Sequence, residues 1–212
     1  MITPSQTSLD LVREIGKAVH SPHQHHHILY DIAKTYPDDY QLNYVEIGCL
    51  EGASACLMLQ RPLTHVITID AGLPFSMDKA MKNMETCNRH NNRMNYVLGN
   101  SHDLGTKRML EYIVDKIDIL FIDGGHEYSD VIDDFVLYQG LVVKGGYIVF
   151  DDFNCYLTPG IRGAVASLNL SIIPYLDGLK NFEIIGTLEN TLGAEAWFMK
   201  GTDGNCFIIR KS

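Results

Sequence analysis

Missing from this chain is any apolar run near the ~18 residues that a membrane helix needs. The N-terminus, MITPSQTSLDLVREIGK, lacks a basic start followed by an apolar stretch, so a secretory signal is not expected. The five cysteines (49, 56, 87, 155 and 206) show no paired metal spacing, and their odd number does not suit a disulfide framework. Reduced thiols in a cytoplasmic protein are the expectation. Positive charge is scarce: 17 Lys and Arg face 26 Asp and Glu, a net charge of -9 that argues against a nucleic-acid surface. Internal repeats and low-complexity linkers are absent as well. What remains is a chain of 212 residues, 46% hydrophobic and 20% charged, an ordinary composition for one globular domain with a full core.

The informative pattern is a series of apolar runs that end in polar or glycine-rich turns. Asn43 to Gly48 reads as a first strand and runs into Cys49-Leu50-Glu51-Gly52, with a helix from about Ala53 to Gln60. Glycines there let backbone approach a ligand, and the following helix N-terminus favours an anionic group. The spacing is Glu46-x-Gly48-x-x-x-Gly52, which is neither the dinucleotide fingerprint nor a phosphate loop. A second strand, His65 to Asp70, ends in an acid placed either to take a ribose hydroxyl pair or to serve as a helix cap or loop acid. A helix over Ser76–Asn91 follows, then a third strand, Asn95 to Leu98, ending in Gly99-Asn100-Ser101-His102-Asp103. Two further runs, Ile117–Ile122 and Tyr147–Phe150, break into Asp123-Gly124-Gly125-His126 and Asp151-Asp152. Between them Tyr128, Val131, Ile132, Phe135 and Tyr138 keep helical spacing on a core face. Asp130, Asp133 and Asp134 are expected on a solvated surface, and Lys144-Gly145-Gly146 in a turn.

These residues together resemble a class I S-adenosylmethionine-dependent methyltransferase from about Tyr44 to the C-terminus. The resemblance implies a Rossmann-like α/β fold: a seven-stranded, mostly parallel sheet with helices on both faces and an antiparallel C-terminal strand, for which Cys206–Arg210 is the choice. It implies cofactor binding by Glu46, Gly48, Gly52, Asp70, Asn100, Ser101 and Asp123; Asn100 stands where many relatives have Asp. Phe-Ile-Asp123-Gly-Gly-His126 with Val-Phe-Asp151-Asp152 is similar to metal-dependent O-methyltransferases of the macrolide-sugar and catechol type. That likeness implies Mg²⁺ or another divalent cation on Asp123, Asp151 and Asp152, and His126 as general base, with Asp123 and His126 at the catalytic centre. Adjacent strand residues point to opposite faces, so Asp151 and Asp152 reach one ion only if the strand ends and turns there.

Residues 1–40 are expected to form a helical cap or lid and 41–212 the catalytic domain. Five of the nine histidines stand at 20, 23, 25, 26 and 27. If residues 23 to 32 are helical, His23 and His27 share a face and could bind a metal; the alternative is a solvated loop and helix start. Tyr156, Arg162 and Trp197 are candidates for touching the acceptor or for plain packing. Phe182–Leu188 and Ala196–Met199 are further strand candidates. The expected activity is methyl transfer to a hydroxyl of a small molecule, a sugar or vicinal diol, with no nucleic-acid or membrane partner and a homo-oligomer left open. A cephalosporin-hydroxylase-like enzyme of the same fold, and a non-catalytic binding protein, are the alternatives.

Overall fold

The computed structural model describes residues 5–19, 26–72, 76–152, 160, 164, 182–187 and 206–211. Two helices lead, α1 (Gln6–Ile15) and α2 (His27–Ala33). Strands and helices then alternate: β1 (Leu42–Ile47), α3 (Ala53–Met58), β2 (Thr64–Asp70), α4 (Ser76–Cys87), β3 (Met94–Leu98), α5 (Leu104–Ile113), β4 (Ile117–Ile122), α6 (Tyr128–Tyr138) and β5 (Val142–Phe150). The last two strands are β6 (Phe182–Thr187) and β7 (Phe207–Lys211). The sheet order is β3-β2-β1-β4-β5-β7-β6. The first five strands in that order are parallel, and β7 runs antiparallel to both β5 and β6.

Alternation along the strands sorts the core into two layers. Tyr44, Val66, Ile119, Phe121 and Val149 pack with α1, α2, α3 and α4, whereas Val45, Ile67, Leu120, Ile148 and Phe150 pack with α5 and α6. Both sheet faces are therefore dry, which is why these strands read as continuous apolar runs. Val12, Ile15, Ile28 and Leu29 of the two leading helices share one apolar cluster with Leu57 of α3. Asp31 ties these helices together, accepting from the Ser5 and Ser8 hydroxyls at 2.8 Å each and lying 3.0 Å from His27 Nδ1.

Two local expectations are corrected, and one helix comes in addition to those expected. Lys144-Gly145-Gly146 is part of β5 and not a turn; Gly145 has φ +81°, and the β4–β5 register shifts between Ile117 and Ile119. A bulge at a left-handed glycine keeps the strand going while bending it. Leu104–Ile113, which carried no expectation of structure, forms α5; its buried stripe is only Thr106 and Leu110, too thin a period to notice. Asp134 is fully buried instead of solvated, and Asp130 closes a reciprocal cap with Glu127 at the start of α6. Asp133 is exposed. Expectations for His20, His23, His25, Tyr156, Arg162, Trp197, the Ala196–Met199 strand and the loop after Asp152 lie outside the described residues.

Candidate active site

The first turn shows how the sheet builds a cleft at its carboxyl edge. Gly48 has φ +85°, and a Cβ there would stand 1.9 Å from the Asp123 carbonyl oxygen. Only glycine lets the turns after β1 and β4 meet this closely. Gly52, at φ +83°, precedes α3 and packs against α4. Asp70 then staples this turn from below: its Oδ2 accepts from the Cys49 and Leu50 amides at 2.9 and 3.1 Å, and its Oδ1 from Gly72 N at 2.7 Å. The acid at the end of β2 is thereby fixed by three backbone donors.

The resulting cleft, of about 650 Å³, is lined by Gly48, Asp70, Asn100, Ser101, Asp123 and His126, with Asp130 and Asp152 also on its wall. That volume suits a drug-sized or nucleoside-sized ligand. Glu46 does not line it. Fully buried beneath the loop, its Oε2 accepts from the Tyr44 and Ser54 hydroxyls at 2.7 and 2.8 Å. Burial pushes the carboxyl up to about 7, against the pull of those hydroxyls.

On the β3 side, Asn100 Oδ1 accepts from the His102 amide at 3.0 Å, and the Ser101 carbonyl accepts from the Tyr138 hydroxyl at 2.6 Å. Behind them lies Asp134, 3.3 Å from His102 Nε2. Burial raises the Asp134 carboxyl to about 6, opposed by the Ser101 hydrogen bond and the His102 charge.

The acids after β4 and β5 are not gathered symmetrically. β5 ends at Phe150, and Asp151 keeps the side of Val149, where His26 Nε2 stands 3.0 Å from its Oδ2 and the Cys206 thiol donates to its Oδ1 at 3.3 Å. Asp152 sits at φ +52° in the turn and faces the cleft, its Oδ2 3.8 Å from His126 Nε2. Asp123 belongs to both neighbourhoods. Among the described residues, two sets have ligand atoms within 4.8 Å of one another: His26, Asp123 and Asp151, and Asp123, His126 and Asp152. The Asp123 carboxyl is held well above the usual range, by burial first and then by the charges of Asp151, Asp152 and Glu46.

Of the residues singled out in the sequence, Gly48, Asp70, Asn100, Ser101, Asp123, His126 and Asp152 share one cleft; Glu46, Gly52 and Asp151 stand behind it. His26 went unnoticed inside the histidine run. It is buried, as is His27, so the solvated reading fails for both. The only sequence signal was their position at the start of the helix that carries Ile28, Leu29 and Ile32.

A doubly wound sheet with a glycine-lined cleft at the carboxyl ends of its central strands defines the Rossmann-like class of ligand-binding α/β proteins. Within that class, the family model described as "Methyltransferase domain" matches residues 45–153, half of the chain. An uncharacterised protein, R132, of Acanthamoeba polyphaga mimivirus is 38% identical over 179 residues, covering 81% of this chain and 78% of the relative. The chain belongs to this methyltransferase family. Solved structures with the same fold include an O-methyltransferase of Bacillus cereus in complex with SAH (TM-score 0.63, 21% identity, 98% of this chain and 92% of that one). TomG, an O-methyltransferase of Streptomyces achromogenes in complex with SAM, has a TM-score of 0.63 at 15% identity, covering 100% of this chain and 93% of that one. NodS, an N-methyltransferase of Bradyrhizobium japonicum, matches at TM-score 0.62 and 13% identity over 98% of this chain and 99% of that one. Because O- and N-methyltransferases match equally well, the fold leaves the acceptor atom open.

Proposed function

We propose that this protein transfers the methyl group of S-adenosylmethionine to a hydroxyl of a small molecule, a sugar or vicinal diol, assisted by a divalent cation. The observation that carries the reading is the presence, in one cleft, of a glycine-and-acid half (Gly48, Asp70, Asn100, Ser101) and an acid-and-imidazole half (Asp123, His126, Asp152). The residues fit the donor. Gly48 lines the cleft with the turn after β4 packed closely against it, and Asp70, Asn100 and Ser101 line the side where ribose and adenine would lie. When bound, S-adenosylmethionine supplies an electrophilic methyl group on a sulfonium centre. On transfer of that methyl to the acceptor oxygen, the carbon–sulfur electrons would stay with sulfur to give S-adenosylhomocysteine, and the hydroxyl proton would pass to His126.

The protein's share is positioning and proton removal. His126 is about half exposed at the cleft wall with Asp152 beside it, so its imidazole can take the hydroxyl proton while the acid orients the ring and stabilises the imidazolium. The crowding of Asp123, Asp151 and Asp152 suits a cation, whose chemistry is to make the acceptor hydroxyl more acidic. A methyl-transfer assay over hydroxylated acceptors, reading S-adenosylhomocysteine, tests this. EDTA should abolish turnover and a divalent cation restore it. His126→Ala should keep cofactor affinity within about twofold and lose roughly 10²–10⁴ in kcat. Full activity in His126→Ala would remove the base, and indifference to EDTA the cation.

A further inference from the structure

The acids of the β4 and β5 ends belong to two different environments, and the difference assigns them different work. The outer set, His126 and Asp152 with Asp123, faces the cleft. The inner set, His26 and Asp151 with Asp123, lies on the α2 side of the sheet, where His26 and Asp151 side chains are 4% and 2% exposed. The His26 ring meets the edge of Phe121, with centroids 5.5 Å apart and planes at 81°, which holds its Nε2 against the carboxylate.

We propose that His26, Asp123 and Asp151 form a buried site for a first-row transition-metal ion of the Mn²⁺, Co²⁺ or Zn²⁺ kind, with the imidazole of His26 as the third protein ligand. The inference rests on the cation-assisted part of the proposed function and names the ion's seat and class. Two donors bound to one such ion at about 2.0–2.2 Å, roughly at right angles, stand about 3 Å apart. His26 Nε2 and Asp151 Oδ2 are 3.0 Å apart. The buried Cys206 thiol donates to the other Asp151 oxygen, Oδ1, which turns Oδ2 toward the imidazole. Two carboxylates and a neutral imidazole balance a divalent charge, whereas the same carboxylates buried without a cation repel. A nitrogen donor favours these ions over Mg²⁺, which prefers an all-oxygen shell. The division also frees His126: an imidazole engaged by a metal cannot accept a proton, and the inner set supplies the ligands without it. His26 lies outside residues 45–153, so the leading segment completes a centre that the matched domain holds only in part.

Cobalt titration of the metal-stripped full chain tests the site, with S-adenosylhomocysteine calorimetry and thermal melts on the same samples. The chain should bind one Co²⁺ with visible ligand-field bands. His26→Ala should weaken Co²⁺ binding by at least tenfold with S-adenosylhomocysteine affinity kept, and His126→Ala should leave the Co²⁺ affinity within about twofold. His26→Cys should bring a near-ultraviolet thiolate-to-cobalt charge-transfer band, a signature that a merely structural histidine cannot give and that does not depend on the alanine variant folding. Equal cobalt affinity in His26→Ala, loss in His126→Ala instead, no new band in His26→Cys, or no binding by the parent chain each overturns the site. A parent chain that binds S-adenosylhomocysteine but no cobalt removes this inference and leaves methyl transfer standing; a parent chain that binds neither removes the donor reading too.

Discussion

Gly48 and Glu46 sit two residues apart and answer to opposite constraints. Gly48 needs a positive φ and the absence of a Cβ, so Gly48→Ala should cost on the order of 3 kcal/mol and abolish S-adenosylhomocysteine binding. Urea denaturation and calorimetry on that variant check both; a variant as stable as the parent contradicts the close approach to Asp123. Glu46 is a buried acid whose folded-state value, about 7, lies above its usual 4.5. Between those values the folded chain holds a proton that the unfolded chain has released. Stability from this group is therefore greatest at low pH and falls as pH rises through the window. Glu46→Gln should gain on the order of 1–3 kcal/mol at about pH 8 and nothing below about pH 4. Melts across that range test it, and a glutamine variant that is less stable at high pH would show that ionised Glu46 supports the fold. Gly48 could be read from the sequence because a strand–glycine–helix spacing has one geometric meaning. The buried state of Glu46 and Asp134 could not, because a carboxylate's partners, here Tyr44, Ser54 and His102, are set by packing between elements.

At the scale of elements, the strands were legible wherever both faces are dry, since β1, β2, β4 and the Tyr147–Phe150 end of β5 are stretches of buried, mainly apolar residues. Helix α5 was not, because a helix that buries only Thr106 and Leu110 has almost no period. The same reasoning explains the histidine run. Whether His26 and His27 face water or core depends on how α2 docks, through Ile28, Leu29 and Ile32 in the core and Asp31 on Ser5 and Ser8, contacts between elements that a local pattern does not reveal. Asp31 joins Ser5, Ser8 and His27, so Asp31→Ala should loosen α1 and cost about 2–4 kcal/mol. Hydrogen exchange should show α1 amides exchanging faster while β1, β2 and β4 stay protected. Unchanged α1 protection would mean that apolar contacts alone hold the helix.

Across the whole molecule, the parallel strands β1, β2, β3 and β4 bring their polar ends to one edge, and the cleft follows from that topology more than from any single residue. The two leading helices close one face of the same core and carry His26 to the acids of β4 and β5. Sequence spacing identified the acids, and alternation already set Asp151 and Asp152 on opposite faces; what it could not show is that His26 stands on the Asp151 side, because that depends on how the leading helices dock. No helix among the described residues is long and apolar enough to cross a membrane. The central claim, that this edge holds S-adenosylmethionine, is tested most directly by calorimetric titration of the chain with S-adenosylhomocysteine, which needs no knowledge of the acceptor. One site with a micromolar Kd, lost in Gly48→Ala, is the predicted result; no binding heat at millimolar ligand would contradict it.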